Sequence, residues 1–556
     1  MRPETPTITI RPRSRHAKRP LSITREVTTH RGHQRTLASL LVGMVVVGLA
    51  WRLARLLAGF PIWYDEAFLA LSWMTRDWEG LLGPLKYYQV APIGFLAVER
   101  GMTEAFGPSA IALRLVPFLA GSASLILFAR FALRAVGRTR ALLAVAIFAA
   151  SYYPARHSAE VKPYAIDLLL ALMTVELAWL SRTRPGLRSW LALTALVSVG
   201  VWFSYPLVFV AAGVGSTLAI RALRARDSVA VAALSSMGLI WAASWLAMYL
   251  LVGRPQAAAT AFYATSTTWE AAFPPYDRPW SIPLWLLDVH TGNMLAYPNG
   301  GNRFGSTGTT ILVLLGAWSL RRRRPMLVAL LLSPLAPTLL ASAFHRYPYG
   351  TSARTMLFMA PSFCLLAGVG VAGLLRRVAS SPRRERIGVL VTALGLGLGV
   401  VISTIGNLAA PWREVADVEN RRVAQELAAL AGPGDLWVGF DGIEALPPGN
   451  PDLMSHRWVG QAAEIHYNLL AHARVPVRWM PGPGTDLATP GRIWLIVHRS
   501  GFPQFSEAPL LALRSRLDRD LGPPIVHDWS LTPVISIRAY EYPPVSPGPP
   551  SPRGRR

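Results

Sequence analysis

The sequence predicts an all-α polytopic membrane protein of about 11 transmembrane helices, followed by a small C-terminal α/β domain on the extracytoplasmic side. Two observations predict the helical part. Of the 556 residues, 52% are hydrophobic and only 16% are charged, and the apolar residues occur in blocks of roughly 15–22, the length of a helix that crosses a hydrocarbon core. A third observation predicts the α/β part, because after residue 410 these blocks give way to short runs separated by turn residues.

The composition excludes several classes of protein. The chain is too apolar for a disordered protein or for one that mainly wraps nucleic acid, so no nucleic-acid partner is expected. Its single cysteine, Cys364, excludes a disulfide scaffold and any cysteine-rich metal or iron–sulfur site. The formal net charge of +25 is large enough to require either a partner or a specific location in the cell.

Eleven apolar segments have the character of membrane spans. In chain order they lie near residues 38–57, 109–132, 141–153, 163–181, 190–205, 206–221, 229–252, 306–320, 326–343, 357–375 and 388–410. The third is short, and we expect it to be tilted or to extend into its loop. An odd number of spans predicts that the two ends of the chain lie on opposite sides of the membrane.

The distribution of Lys and Arg predicts the orientation, because cytoplasmic loops retain positive charge. Alternate segments hold 27 of these residues, whereas the four connections between them hold 10. The Lys- and Arg-rich segments are 1–36, 134–140, 181–190, 221–228, 321–324 and 376–386. We therefore expect a multi-pass protein of the cytoplasmic (inner) membrane with a cytoplasmic N-terminus, and we interpret the net charge as a topology signal.

Four domains follow from these patterns. Residues 1–36 are predicted to form a disordered basic cytoplasmic tail; a cleavable signal peptide ending near Ala50 is the alternative. Residues 37–410 form the transmembrane domain, and 543–556 a Pro-rich disordered tail. The α/β domain spans 411–542, with a helix-like apolar stripe between 415 and 430. Strand-like runs lie at 436–440, 475–480 and 492–498, and a hairpin is predicted from 524–529 and 534–541.

The first outer loop begins with two adjacent acids, Asp65 and Glu66. Neighbouring helical residues point about 100° apart, so these two carboxylates are not expected to share one role. They are either solvated acids at a helix start, where the helix dipole favours negative charge, or residues of a functional site.

Two of the three lysines in the chain, Lys86 and Lys162, lie in outer loops, where positive charge is otherwise scarce. Snorkelling to lipid headgroups is one explanation, but it does not explain this distribution. Pro163 suits the first position of the next helix, which would place Tyr164 and Asp167 on one helix face. An acid within the membrane is costly unless it is paired or faces a cavity, so Asp167 is a candidate cavity residue.

Two later outer loops contain further candidates. Asp288 and His290 follow an aromatic-rich run and are candidates for binding a metal or an acceptor, although an aromatic belt is the simpler explanation. Arg346 and Arg354 lie beside tyrosines in the last outer loop, where they form either a phosphate clamp or ordinary interfacial anchors.

Several short motifs, considered together, match a known family. They are Arg52, Trp63-Tyr64-Asp65-Glu66-Ala67, Phe106-Gly107 followed by Arg114-Leu115, Tyr164 and Arg346-Tyr347-Pro348. This pattern resembles the GT-C glycosyltransferases, and more narrowly family 39, the group of protein O-mannosyltransferases and lipid A aminoarabinose transferases. The resemblance covers roughly residues 40–370, and the Asp-Glu pair is its most specific element.

The resemblance implies transfer of a hexosyl or pentosyl group from a polyprenyl-phosphate donor to a glycan, lipid or protein hydroxyl at the outer membrane face. Asp65 matches the catalytic carboxylate of the family, and Glu66 would orient the loop or help to bind a divalent cation, which some relatives use. Donor phosphate would be held by Lys86, Lys162, Arg346 and Arg354. Sugar or acceptor would contact Tyr64, Tyr87, Tyr88, Glu160, Tyr164 and Asp167. The metal candidates are Glu66, Asp288 and His290, and no other cofactor is implied.

The alternative function is that of a polytopic transporter or a lipid or sugar flippase. Such a protein should contain interrupted helices, internal repeats or several charged residues near the membrane midplane. Here we find no internal repeat, and the candidate polar residues lie mainly in the outer loops. The sequence therefore favours the glycosyltransferase.

Overall fold

The computed structural model describes residues 21–181, 186–261, 269–440, 457–473, 475–481, 484–500, 508–532 and 535–544. It confirms a mostly helical membrane protein with a small C-terminal sheet domain. The predicted tail residues 1–20 and 545–556 lie outside the described residues, and the first helix already begins at Leu21.

The helical domain extends to Ala409. In chain order its helices are α1 (Leu21–Leu57), α2 (Tyr64–Met74), α3 (Ile93–Phe106), α4 (Ala110–Val136), α5 (Arg138–Ala150), α6 (Tyr152–Arg156), α7 (Tyr164–Ser181), α8 (Leu187–Gly200), α9 (Leu207–Arg224), α10 (Ser228–Met248), α11 (Arg254–Ala259), α12 (Ile282–Thr291), α13 (Thr307–Leu320), α14 (Pro325–Leu332), α15 (Leu335–Ala343), α16 (Ala360–Val378) and α17 (Pro382–Ala409). A helix occupies each of the eleven predicted spans.

Eight helical segments in the described part of the chain are long and apolar enough to cross a membrane, and α8 and α13 are shorter apolar helices. The segment that contains α16 is the most buried of the eight, at 83% of its apolar window, whereas the segment that begins with α10 has 17%. The helix α16 is therefore central in the bundle, and α10 lies at its periphery.

Glycines allow α13 and α16 to approach each other closely. A Cβ atom on Gly316 would lie 2.0 Å from the carbonyl oxygen of Leu366, and one on Gly370 would lie 2.1 Å from that of Leu312. Both distances are shorter than a van der Waals contact. Small residues at such positions are typical of membrane helices, whose association depends on close packing more than on the hydrophobic effect.

The C-terminal domain contains a five-stranded sheet with the strand order β2-β1-β3-β5-β4. Its elements are α18 (Val415–Leu430), β1 (Leu436–Phe440), α19 (Arg457–His472), β2 (Val477–Trp479), β3 (Ile493–Ser500), α20 (Ala508–Leu521), β4 (Ile525–Thr532) and β5 (Ile535–Tyr542). The first three strands pair in parallel, and β4 and β5 form the predicted antiparallel hairpin. Helices α19 and α20 were not predicted from the sequence.

The C-terminal domain packs directly on the loop that holds the Asp-Glu pair. The Arg421 guanidinium donates a hydrogen bond to the carbonyl oxygen of Gly59 at 2.7 Å, and the Tyr467 hydroxyl donates one to that of Pro108 at 2.6 Å. Buried apolar residues of α2, α18 and α19 form one continuous cluster. Helix α19 therefore supports α2 from the side of the C-terminal domain.

Candidate active site

The Asp-Glu pair lies in the first turn of α2. Glu66 is the third residue of this helix, and its carboxylate accepts a hydrogen bond from the backbone N–H of Trp63 at 3.4 Å. This contact satisfies a donor that has no partner within the helix, and the first turn also favours negative charge. The helix start therefore explains why two acids are tolerated side by side.

Glu66 points into the protein and is fully buried. Its carboxylate forms a two-point ion pair with Arg114 of α4, and it accepts the backbone N–H of Val161 at 2.7 Å. Arg114 also donates to the carbonyl oxygens of Phe60 and Pro61 at 2.7 and 3.0 Å. Because both partners are buried and fully engaged, this pair fixes the loop before α2.

Asp65 points the other way, toward two cations. Its Oδ1 lies 3.1 Å from Lys162 Nζ, and its Oδ2 lies 3.1 Å from a guanidinium nitrogen of Arg354. The exposed fractions of the three side chains are 16%, 6% and 27% for Asp65, Lys162 and Arg354. Residues from three distant segments thus form one partly accessible charge cluster.

The cations determine the ionisation of Asp65. Burial alone would raise the pKa of this carboxyl group, but the charges of Lys162 and Arg354, together with the hydrogen bond from Lys162, outweigh burial. The pKa of Asp65 is therefore below its ordinary value of 3.8. The carboxylate is ionised at neutral pH and can accept a proton only if these interactions weaken.

Gln89 connects the cluster to the predicted tyrosines. Lys162 Nζ donates to the side-chain oxygen of Gln89 at 2.8 Å, and Gln89 Nε2 donates to the carbonyl oxygen of Tyr87 at 3.2 Å. The ring of Tyr87 stacks on Phe68 of α2 with centroids 4.7 Å apart. This chain of contacts orients the Lys162 ammonium group toward Asp65.

A second charge cluster surrounds Glu160. The carboxylate of Glu160, which is 3% exposed, contacts His157 and lies 2.9 Å from Arg156 and 3.7 Å from Arg413. Burial would raise its pKa, but His157 and Arg156 outweigh burial and hold the pKa well below the ordinary range. The Arg413 and Arg156 guanidinium groups also lie 3.4 and 5.3 Å from the ring centroid of Trp63.

Aromatic side chains flank the two clusters. Tyr64 packs edge-on against Trp63 at 4.6 Å, and Tyr164 packs edge-on against His157 at 4.9 Å, both between ring centroids. Tyr164 is close enough to Asp65 to interact with it electrostatically. Asp167, one helical turn further along α7, is buried at 5% exposure.

Other predicted site residues lie outside the contacts of Asp65. Lys86 is half-buried, its backbone N–H donates to Ser72 at 3.1 Å, and its charge acts on His466 of α19. Tyr88 follows Tyr87 in the same short 3₁₀ turn. Arg346 is exposed, and no ion pair joins it to the described residues around Asp65.

The metal candidates do not form one site. Among the described residues, no group of three or more His, Cys, Asp or Glu side chains could hold a metal ion. The Glu66 carboxylate is occupied by Arg114, and Asp288 is exposed on α12. The nitrogens of His290 lie 2.7 Å from the carbonyl oxygen of Leu286 and 3.2 Å from the Tyr349 hydroxyl. These residues therefore do not fit a shared divalent cation.

Three residues that contact the two charge clusters were not predicted from the sequence. Gln89 is neutral, so it left no charge signal in its loop. His157 was not predicted, because nothing in the sequence pairs it with Glu160. Arg413 follows the last span, where arginine is an ordinary membrane flank, and only the fold brings it to Trp63.

Comparison with solved structures identifies the fold of this chain. Neither a family model nor a curated protein matches the chain. Among solved structures, ArnT from Cupriavidus metallidurans in the apo state matches with a TM-score of 0.52 and 12% identity, over 90% of this chain and 98% of ArnT. The same protein bound to undecaprenyl phosphate matches with a TM-score of 0.52 and 13% identity, over 90% and 97%. The chain thus has the GT-C fold that the sequence motifs predicted.

Proposed function

We propose that this protein is a membrane glycosyltransferase that moves a sugar from a polyprenyl-phosphate donor to an acceptor hydroxyl at the extracytoplasmic face. The observation that carries the proposal is the placement of Asp65 between Lys162 and Arg354. One partly accessible site thereby combines a carboxylate with two cations. The ArnT structure with undecaprenyl phosphate supports a polyprenyl-phosphate ligand for this fold.

The chemistry of the donor explains why one carboxylate is sufficient. A glycosidase needs an acid to protonate a poor leaving group and a second carboxylate on the opposite face of the sugar. A polyprenyl phosphate is already a good leaving group, so the enzyme has to stabilise its negative charge and activate the acceptor. Lys162 and Arg354 provide the first function, and Asp65 provides the second.

The proposed reaction is a single displacement. Asp65 takes the proton of the acceptor hydroxyl while the acceptor oxygen forms a bond to the anomeric carbon. The bond between that carbon and the phosphate oxygen breaks, and its electron pair leaves with the polyprenyl phosphate. Lys162 and Arg354 balance the charge of the departing phosphate. Tyr64, Tyr164 and Glu160 are then positioned beside the sugar, which can stack on aromatic faces.

Binding of the donor would also activate the base. In the absence of donor, Lys162 and Arg354 lower the pKa of Asp65 and make it a weak base. A bound phosphate competes for both cations, so burial becomes the dominant influence and the pKa of Asp65 rises. The carboxylate would therefore become a competent base only when the donor is present, which limits proton abstraction to productive complexes.

The decisive experiment compares Asp65→Asn with Asp277→Asn in membranes supplied with labelled sugar on a polyprenyl phosphate. Asp277 is 68% exposed and pairs only with its neighbour Arg278 among the described residues, so it controls for the loss of an outer acid. We expect Asp65→Asn to lower product formation by at least about a hundredfold, a typical contribution of a general base. The control should keep wild-type activity.

Two outcomes would contradict the proposal. Normal transfer by correctly folded Asp65→Asn protein would exclude this residue as the base. Sugar flux in proteoliposomes with no covalent product would instead favour the transporter or flippase. Labelled product should be identified chemically, because its structure also reveals the sugar and the acceptor.

A further inference from the structure

A large cavity lies at the end of the helical bundle opposite Asp65. Its volume is about 920 Å³, and α5, α7, α13 and α16 contribute to its walls. Helix α7 connects the two regions, because Tyr164 interacts electrostatically with Arg354 and Asp65, and Trp179 lines the cavity. The two residues are fifteen positions apart, which corresponds to roughly 22 Å of helix, most of a hydrocarbon core. The cavity is therefore separate from the proposed active site.

Arginine is the most frequent residue type in the lining of this cavity. The described lining residues include Arg140, Arg323, Arg324, Arg376 and Arg377 and no acid. These residues come from three different segments, so the fold brings them together. The charges of Arg323, Arg324 and Arg376 act on Arg140. Cytoplasmic loops ordinarily contain arginine. Solvated arginines repel each other, however, so a location in such loops does not explain why five of them surround one cavity.

Most of the remaining wall is apolar, and it leaves free space. Trp179 is buried, and Leu374 is 46% exposed on α16. A Cβ atom added to Gly373 would meet nothing within 4 Å, so this glycine borders open space rather than a packed helix. The cavity thus combines a positively charged rim with an apolar side, and its volume suits a ligand of moderate size.

We propose that this cavity is an anion site that binds a phosphate-bearing headgroup. Phosphate oxygens accept several guanidinium hydrogen bonds at once, and a ligand with two phosphates would offset part of the repulsion among the arginines. The site does not depend on the proposed glycosyl transfer, because none of its residues contacts the Asp65 cluster.

The bilayer is the favoured source of this ligand. Basic pockets between membrane helices bind acidic lipid headgroups, and the exposed Leu374 side chain offers an adjacent apolar surface for acyl chains. A soluble phosphate shares the headgroup chemistry but gains nothing from that surface. The two sources can be separated with cardiolipin, which has two phosphates and acyl chains, and pyrophosphate, which has two phosphates alone.

The test uses the full-length protein in phosphatidylcholine nanodiscs and in detergent, with native mass spectrometry and thermal unfolding as readouts. We expect cardiolipin to be retained and to raise the Tm of the wild type. Arg140→Gln/Arg323→Gln should weaken this binding by about tenfold or more, because two charge-assisted contacts are lost. Gly373→Leu should weaken it similarly by filling the cavity while keeping every charge.

Arg383→Gln/Arg386→Gln is the matched control. Both residues are exposed near the start of α17, at the same end of the bundle, and neither lines the cavity. This variant loses the same charge and should bind cardiolipin like the wild type. Binding of pyrophosphate but not cardiolipin, with the same dependence on the variants, would support the anion site with a soluble ligand. Equal ligand binding by the wild type and all variants, or binding of neither cardiolipin nor pyrophosphate by the wild type, would overturn the proposed anion site.

Discussion

The ammonium group of Lys162 lies 3.1 Å from Oδ1 of Asp65, and their chain neighbours Glu66 and Val161 are in contact as well. The Glu66 carboxylate accepts the backbone N–H of Val161 at 2.7 Å. Two adjacent acids on α2 therefore bind two adjacent residues that precede α7. The buried contact fixes the distance between the two segments, and the more accessible one remains available to a ligand.

Lys162→Gln should impair use of the donor. The substitution removes one charge-assisted contact to the phosphate, for which a loss of roughly 1.5–3 kcal/mol is expected. The KM for the polyprenyl-phosphate donor should rise about 10- to 150-fold. Steady-state kinetics with varied donor concentration measures this change. Arg346→Gln provides the comparison, because Arg346 is exposed and outside the contacts of Asp65. If the donor KM rose more in Arg346→Gln than in Lys162→Gln, the donor phosphate would be assigned to Arg346 instead.

The same variant should change the pH profile. In the wild type the pKa of Asp65 is below 3.8, because Lys162 and Arg354 outweigh burial. The ionised Asp65 carboxylate therefore stabilises the folded protein above the pKa that this group has in the unfolded chain. This stabilisation is lost as the pH falls through the pKa of Asp65 in the folded protein. Without Lys162, burial is opposed less strongly and the pKa rises. The acid limb of kcat/KM should move to higher pH in Lys162→Gln, and an unchanged limb would assign it to another group.

Glu66 and Arg114 should behave as one structural unit. Removal of either partner leaves an uncompensated buried charge, which costs about 3–5 kcal/mol of stability. Glu66→Gln and Arg114→Gln should each lower the Tm in detergent, whereas the double variant should lose less than the sum of the two. The coupling in such a cycle is expected at roughly 0.5–3 kcal/mol. Additive losses would show that the two side chains contribute independently.

The sequence predicted the helical part of the fold because each membrane helix has its own apolar signal. Predicting the membrane spans requires no knowledge of long-range contacts, and the structure has a helix at every predicted position. Helices α19 and α20 have no comparable signal, since their mixed residues are buried by the sheet and by α2. Such patterns become interpretable only when the surface that covers them is known.

The site likewise contains residues that have a signal in the sequence and residues that have none. Asp65 and Lys162 stand out in the sequence because an acid pair and a scarce lysine occur in outer loops. Their mutual contact is not predictable, since it depends on how α2 meets the start of α7. Gln89 illustrates the limit: its amide connects Lys162 with the Tyr87 carbonyl, yet a neutral side chain in a loop has no distinctive pattern.

Gly460 provides a test of whether the C-terminal domain positions Asp65, the proposed base. A Cβ atom at this position of α19 would lie 2.6 Å from the Cβ and Cγ atoms of Tyr64, the residue before Asp65. Gly460→Ala must therefore displace α2 or α19. Because small displacements of a catalytic group are costly, we expect kcat to fall by about tenfold, with a smaller change in the donor KM.

Gly395→Ala is the matched control for this substitution. A Cβ atom on Gly395 of α17 would meet nothing within 4 Å. Alanine there should be neutral, or stabilising by up to about 1 kcal/mol because of its higher helix propensity. Both variants should be compared by kcat per folded molecule and by Tm. If Gly460→Ala retains full kcat while Tm falls, α19 stabilises the protein but does not position Asp65, because the displaced helix would then leave the chemistry unchanged.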